Sequence, residues 1–289
     1  MTIEQVYHEL SDGLSRLYER REAENIADWV FENVTGLNRL QRRADRTTVL
    51  SQEDHSKVKN YLLQLLQHKP VQYVLNEAWF YKMKFYVNED VLIPRPETEE
   101  LVSWIIEDVK RSDITDAPKI LDVGTGSGCI SVALKKSLPF ADVAAIDISE
   151  LALIVAGKNA RQLDASIDFM QLDFLDKKSS NILPRYDIIV SNPPYIPLNE
   201  KEKLSKNVAA FEPAAALFVD DKEPFIFYKT IAGFGSTHLE KNGKIYVEIH
   251  EAYAREVAEI FAEQNYLIEI RKDVYGRNRM IKAGPKPDS

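Results

Sequence analysis

The chain has 289 residues, with 37 basic and 45 acidic side chains for a formal net charge of −8, 45% hydrophobic residues and one cysteine. That composition is globular, it excludes disordered and fibrous classes, and the length suits one large or two modest domains. A lone cysteine closes no intramolecular disulfide and builds no thiolate-rich zinc site, and an acidic balance argues against a broad face for nucleic-acid backbone.

The opening segment, MTIEQVYHEL, has neither a basic n-region nor an apolar h-region. The apolar runs also fall short of the ~20 residues that span a membrane. The chain is therefore expected to be soluble, unexported and cytoplasmic, without a metal site.

The first seventy or so residues read as helices only. Ile3, Val6, Tyr7, Leu10, Leu14 and Leu17 recur at helical spacing. So do Ala23, Ile26, Ala27, Val30 and Val34, and then Val58, Tyr61, Leu62, Leu65 and Leu66. Such stripes must pack on one another, which predicts a small bundle over residues 1–75, its last long helix stopped near Lys69-Pro70. Residues 78–91, AWFYKMKFYVNEDV, are aromatic and partly alternating, and they predict a β-hairpin connector over 76–94.

From Glu97 to Lys110 the spacing is again helical. Strands then alternate with helices: Lys119–Val123, a helix over Ile130–Lys136, Val143–Ile146 and a helix over Glu150–Leu163. Further strands follow at Asp187–Ser191 and Ile245–Ile249, and a helix at Glu251–Glu263. This alternation predicts an α/β domain over 95–284 with a doubly wound parallel sheet. The tail GPKPDS reads as a frayed end.

Glycine is scarce, 11 residues in all, yet Gly124, Gly126 and Gly128 crowd together directly after the first of these strands and before a helix. A strand turning into a helix exposes backbone N–H groups, and residues without Cβ let a ligand approach them. The loop ends Gly128-Cys129-Ile130 and so lacks the Gly-Lys-Ser/Thr of a phosphate-cradling P-loop. Its G-x-G-x-G spacing also departs from the dinucleotide G-x-G-x-x-G. It fits an S-adenosylmethionine loop better, although a tight structural turn would leave the same trace.

Asp147 stands at the end of the second strand, 23 residues beyond Gly124, where a carboxylate can accept two ribose hydroxyls; a strand-end or helix-capping role is the alternative, and Ser149 could cap instead. Asp173 follows another strand and adjoins Phe174. Its carboxylate can accept an adenine amino group with Phe174 as an apolar wall, or it can be an ordinary loop acid. Cys129 opens the helix and reads as a small buried hydrophobe rather than a reactive thiol.

The strand Asp187–Ser191 runs into Asn192-Pro193-Pro194-Tyr195. Two prolines remove two N–H donors and leave carbonyl oxygens outside any ladder. For methyl transfer to a planar amide or aromatic amine, whose lone pair is delocalised, both N–H groups need acceptors that aim the nitrogen at the methyl donor. The Asn192 side-chain oxygen and the Pro193 carbonyl supply two, and the Tyr195 ring can contact the amide plane. Read alone, the tetrapeptide is equally an ordinary strand-ending turn. The case for chemistry comes from its conjunction with the glycine loop and Asp147 in one sheet.

VGTGSG, Asp147 and NPPY resemble the class I (Rossmann-like) S-adenosylmethionine methyltransferases that act on exocyclic or amide nitrogen. Within these, VLIPRPETEELV (91–102), SNPPYIP (191–197) and FEPAAAL (211–217) are similar to the PrmC/HemK protein-glutamine methyltransferases, as are Pro70-Val71-Gln72-Tyr73 and DVYGRNRM, over about residues 70–282.

That resemblance implies methylation, by S-adenosylmethionine, of the side-chain nitrogen of the glutamine in the Gly-Gly-Gln loop of class 1 peptide chain release factors. It implies that Gly124, Thr125, Gly126, Ser127, Gly128, Asp147, Asp173, Phe174 and Asn192 touch the cofactor. Asn192, Pro193, Pro194 and Tyr195 would bind the glutamine, with Asn192, Pro193 and Tyr195 catalytic, and the helical domain would dock the release factor. The chain departs from many members in FVDDKEPFIFY (218–228), where they carry a glycine-rich segment, and in Phe174, where some have tryptophan.

Arg95 and Glu97 are expected in ion pairs that join hairpin to catalytic domain, with a substrate contact as the alternative, because charges in such a linker are usually solvated or paired. The nearest rival activity is methylation of adenine amino groups in DNA or RNA, for which Gly36–Arg46, with Arg39, Arg42, Arg43 and Arg46, is the clearest basic cluster; a solvated helix face explains it as well. A non-catalytic scaffold would have lost the glycine loop or Asn192, and both are present. A monomer without stable nucleic-acid or membrane binding is expected.

Overall fold

The structure, a computed structural model, describes residues 1–111 and 117–286. The chain divides into two compact units, Met1–Glu77 with Ser205–Phe211, and Ala78–Leu204 with the chain from Glu212 on. The hairpin thus belongs to the second unit, and the first includes an excursion that boundaries at residues 75 and 94 do not contain.

The first unit is built on α1 (Ile3–Leu14), α2 (Arg20–Thr35), α3 (Arg39–Ala44), α4 (Gln52–Leu66) and α5 (Val71–Leu75). Its starts are set by short polar side chains. The Thr2 hydroxyl accepts the Gln5 N–H while the Gln5 side chain accepts the Thr2 N–H, and Asn38 and Gln41 repeat the arrangement at α3. Ser51 accepts the Asp54 N–H at α4, and α2 stops on Gly36 at φ +71°. The helical stripes meet in a core that includes Ile3, Val6, Leu10, Leu14, Ala27, Val30, Phe31, Val58 and Leu65. Leu17 falls past the end of α1 and is exposed, so the first stripe closes one turn earlier than its spacing predicts.

The basic cluster of this unit is not a solvated face throughout. Arg42 is buried, its guanidinium lies 3.2 Å from the centre of the Tyr7 ring, and it pairs with Asp28. Arg39 pairs with the same carboxylate at 3.5 Å, and Arg46 reaches Glu4 at 4.0 Å.

The second unit opens with the hairpin β1 (Ala78–Phe80) and β2 (Met83–Phe85), with Ala78 opposite Phe85. The strand character expected to residue 91 ends at Phe85; beyond it the buried Asn159 side chain takes over the pairing, accepting the Tyr86 N–H at 2.7 Å and donating to the Tyr86 carbonyl at 2.9 Å. Then come α6 (Pro96–Arg111), β3 (Lys119–Val123), α7 (Cys129–Ser137), β4 (Asp142–Asp147), α8 (Glu150–Gln162), β5 (Asp168–Gln171), α9 (Lys177–Ser180) and β6 (Tyr186–Ser191). After β7 (Ile196–Pro197), α10 (Lys206–Phe211) is the excursion counted with the first unit. The chain ends through α11 (Ala214–Leu217), β8 (Phe218–Val219), α12 (Ile226–His238), β9 (Leu239–Glu248), α13 (Ala254–Glu263), β10 (Tyr266–Lys272) and β11 (Asn278–Pro285). A 3-10 turn, Glu251–Tyr253, occupies the first residues of the helix expected from Glu251.

The seven-stranded sheet has the order β10-β11-β9-β6-β3-β4-β5. The strands β5, β4, β3, β6 and β9 are parallel, β11 is antiparallel to β9, and β10 is antiparallel to β11. The doubly wound parallel sheet thus carries an antiparallel edge, because β10 and β11 are joined by a tight turn and such a connection pairs strands antiparallel. The last strand takes in Gly284 and Pro285, which corrects the frayed end for those two residues; Pro287 to Ser289 lie outside the described residues.

One face of the sheet packs on Leu101, Val102, Trp104 and Ile105 of α6 and on α7, and the other on Tyr228, Ile231, Phe234, Val257 and Phe261 of α12 and α13. Each fully buried side chain of this size contributes about 1.5–3 kcal/mol. Among the described residues no helix is long and apolar enough to cross a membrane. Chain order reverses between β3 and β6, so the carboxyl ends Val123, Asp147 and Ser191 open onto the crevice where ligands of such sheets bind.

Candidate active site

A cavity of about 230 Å³ opens at that reversal. Its wall takes in Gly124, Thr125, Gly126, Ser127, Asp147, Asp173, Phe174, Asn192, Pro193 and Pro194, together with Pro94 and Arg95 just before α6, Thr98 in its first turn and Phe227 of α12. Gly128 and Tyr195 stand outside the wall.

The glycine loop hooks onto β4 through the N–H groups of Gly124 and Thr125, both donated to the Ile146 carbonyl at 2.9 and 3.0 Å. Gly124 and Gly126 have φ of +72° and +54°, and a Cβ built on either would meet nothing within 4 Å, so the backbone faces open space. Gly128, φ +78°, is different, because a Cβ there would lie 3.1 Å from that of Ala156. It is absent from the wall because it lets α7 start close against α8. Thr125 and Ser127 are buried; the Thr125 hydroxyl donates to Asp122 at 2.7 Å, and the Ser127 carbonyl accepts Asn159 at 2.8 Å. Their polar groups hold the loop together.

Asp122 lies under the loop, wholly buried, and burial pushes its carboxyl up to about 6. Burial likewise pushes the Cys129 thiol up to about 12, which suits a packing residue and not a nucleophile.

Asp147 accepts the Gly126 N–H with Oδ2 and the Ser149 N–H with Oδ1, both at 2.9 Å. Its carboxylate is thereby held at the cavity, with lone pairs left for further donors, while Ser149 caps α8 through the Ala152 N–H. Asp173 is exposed and accepts the Leu175 N–H at 3.0 Å. Phe174 is buried edge-on to Phe234, 5.1 Å between ring centres, and gives the apolar wall beside it. Open space over a glycine backbone, an oriented carboxylate and an aromatic wall fit a nucleoside with a charged tail.

The corner after β6 is set from behind. Asn192 Nδ2 donates to the Thr98 hydroxyl at 3.1 Å, Thr98 donates to Glu248 Oε2 at 2.6 Å, and the Tyr195 hydroxyl donates to Glu248 Oε1 at 3.2 Å. Glu248, the last residue of β9, is buried, and its backbone carbonyl accepts the Tyr228 hydroxyl at 3.0 Å. Burial, with the Glu248 charge next in size, holds the Tyr195 hydroxyl protonated far into the alkaline range. The Tyr195 hydroxyl is thus anchored on Glu248, and its ring packs edge-on to His250, 6.0 Å between centres.

Arg95 pairs with Glu212 at 2.6 Å, and Glu212 also accepts the Ile93 N–H at 3.3 Å. The arginine expected to join hairpin and catalytic domain thus ties the segment before α6 to the Glu-Pro motif before α11; Glu97 is half-buried in the first turn of α6.

Thr98, Glu248, Glu212 and Phe227 are the site residues that the sequence reading does not single out. Thr98 and Glu212 carry a signal, since both stand inside stretches that resemble a known family; Glu248 carries none, being an acid at the end of an apolar strand.

Residues 104–220 match the Methyltransferase small domain family and residues 9–75 the PrmC N-terminal domain family. The chain is 40% identical to the release factor glutamine methyltransferase of Flavobacterium psychrophilum over 285 residues, 98% of this chain and 99% of the relative. It is 37% identical to that of Bacteroides thetaiotaomicron over 275 residues, 95% and 97% of the two chains. A methyltransferase structure from Pyrococcus furiosus, 14% identical, superposes with a TM-score of 0.52 over 78% of this chain and 98% of that one, a likeness of fold.

Proposed function

The chain belongs to the release factor glutamine methyltransferase family, and we propose that it transfers the methyl group of S-adenosylmethionine to the side-chain amide nitrogen of the glutamine in the Gly-Gly-Gln motif of class 1 peptide chain release factors. The observation that carries the reading is the Asn192 amide, fixed at the cavity by Thr98 with its nitrogen turned to the hydroxyl, so that its carbonyl end is the acceptor left for a substrate N–H.

Gly124, Gly126, Asp147, Asp173 and Phe174 would hold the methyl donor, with Asp147 accepting ribose hydroxyls and Asp173 the adenine amino group. When bound, S-adenosylmethionine supplies an electrophilic sulfonium methyl. Asn192 Oδ1 and the Pro193 carbonyl accept the two N–H groups of the substrate carboxamide and aim its nitrogen at that methyl. As the nitrogen gains its fourth bond, positive charge grows on it, and acceptors already in place stabilise that charge more than the neutral amide. The carbon–nitrogen bond would form as the carbon–sulfur bond breaks, sulfur keeping the electron pair as a neutral thioether, and the nitrogen would then lose one of its two protons to water, leaving a secondary amide. Pro194 stiffens the corner, and Tyr195, tied to Glu248, holds its far side.

The helical unit would dock the release factor. The chain would act as a cytoplasmic monomer without stable hold on nucleic acid or membrane, in keeping with a basic cluster of which Arg39, Arg42 and Arg46 are engaged by Asp28 and Glu4. The test is incorporation of labelled methyl from S-adenosylmethionine into a release factor, with Asn192→Ala beside the parent chain. Labelling by the parent and its near loss in the variant are expected; equal labelling would refute the role given to the side chain.

A further inference from the structure

A carboxamide is nearly symmetric in shape but opposite in chemistry at its two ends, so Asn192 helps or hinders according to which end faces the cavity. Facing inward, its oxygen accepts from a substrate N–H; reversed, its NH2 opposes the substrate's own donors. What decides between the two lies behind Asn192.

The Thr98 hydroxyl has one proton. At 2.6 Å from Glu248 Oε2, in a buried charge-assisted hydrogen bond, that proton belongs to the carboxylate. Thr98 can then only accept from Asn192, and of the two ends of the amide only Nδ2 has protons to give, as its 3.1 Å contact requires. The second carboxylate oxygen is occupied by the Tyr195 hydroxyl at 3.2 Å, so Glu248 accepts from both sides. Burial, the largest influence, raises the Glu248 carboxyl above its usual range, against the hydrogen bond from Thr98, the nearby Arg279 and the hydrogen bond from Tyr195, which favour the ionised form.

We propose that Glu248, acting through Thr98, is a positioning residue that locks the Asn192 amide with its oxygen toward the cavity. Its place in catalysis rests on the reaction assigned above; the lock itself does not. An ionised carboxylate at the end of β9 sets the direction of the hydrogen-bond chain from Asn192 to Thr98 to Glu248, and that direction makes the corner an acceptor. Glu248 never touches the substrate.

The experiment combines kinetics with the side-chain NH2 resonance of Asn192 in Thr98→Val, Thr98→Ser and Glu248→Gln. Valine removes the hydroxyl. Glutamine keeps the shape of Glu248 but can offer Thr98 an N–H, which frees the threonine proton to point at Asn192 and permits the reversed amide. Serine restores the hydroxyl and serves as rescue. The expected result is an Asn192 NH2 protected from solvent exchange in the parent and in Thr98→Ser, and exposed in Thr98→Val and Glu248→Gln. In the two exposed variants kcat falls about tenfold to a hundredfold, part of the loss typical of removing one preorganised group, while the dissociation constant of S-adenosylmethionine stays within about twofold.

The same NH2 protection in all four chains overturns the lock. So does a Thr98→Ser chain as slow as Thr98→Val, which would mean lost packing rather than a lost donor. Failure of the parent to methylate a release factor, with the protection pattern intact, would overturn the assigned reaction and leave the lock standing.

Discussion

Arg95 and Glu212, 117 residues apart in the chain, are joined by an ion pair of 2.6 Å in which the carboxylate is buried and the guanidinium about one-third exposed. Removing Arg95 leaves Glu212 buried with the Ile93 N–H as its remaining donor among the described residues, and an unpaired buried charge costs more than the pair contributes. Arg95→Ala is expected to destabilise the catalytic unit by about 2–3 kcal/mol, somewhat under the cost for a fully buried pair. Glu212→Gln, which keeps an acceptor, should cost less. Urea unfolding of the two variants checks the order; equal stability of Arg95→Ala and the parent would show the pair to be superficial.

The three loop glycines should separate by function. Gly128→Ala combines positive φ, worth about 1–2 kcal/mol for a side chain, with a contact of 3.1 Å on Ala156, so its melting temperature falls. Gly126→Ala meets no protein atom within 4 Å and puts its methyl where the open backbone faces. Its larger effect is expected in S-adenosylmethionine affinity, measured by calorimetry on the folded variant. A Gly126→Ala chain that binds normally would remove the loop from the cofactor site.

Much of this site is legible in the sequence. The glycine loop, Asp147 and the Asn192 corner each end a strand, and strand ends with unusual backbone requirements announce themselves through glycine and proline. Thr98 and Glu248 do not, because their significance is a contact between residues 150 apart, and neither type is rare where it stands. The edge strands β10 and β11 hide for a different reason. YLIEIRK mixes charge into its alternation because much of that strand is exposed, and antiparallel pairing with β11 decides its state more than its own apolar pattern. The hairpin is shorter than its composition predicts: NEDV follows aromatic residues smoothly in sequence, but Asn159, 73 residues from Tyr86, replaces the strand partner there.

Arg42 should behave as a core residue. Arg42→Ala removes the nearer of the two cations on Asp28, leaving Arg39 at 3.5 Å, and the cation over Tyr7, and a loss of about 2 kcal/mol from the helical unit is expected, below the range for leaving a buried charge wholly unpaired. Mobility of the chain on DNA should be the same for parent and variant at every ionic strength. Steep salt-dependent binding by the parent, abolished in Arg42→Ala, would instead revive the nucleic-acid activity.

Asp122 predicts a pH signature. Its carboxyl, pushed from 3.8 to about 6 by burial, holds its proton more tightly folded than unfolded. Stability from this group is therefore full below about pH 4 and is lost as pH rises through about 6, a total on the order of 3 kcal/mol. Asp122→Asn lacks this titration. The difference in urea midpoint between variant and parent, taken without cofactor, should shift in favour of the variant between pH 4 and 7; a constant difference would place the carboxyl in the ordinary range.

The central claim is tested most directly by the mass of the Gly-Gly-Gln peptide of a class 1 release factor after incubation with this chain and S-adenosylmethionine. A gain of one methyl, located on the glutamine side chain and absent when that glutamine is replaced, is predicted. An unmodified peptide, or a methyl on any other residue, would contradict it.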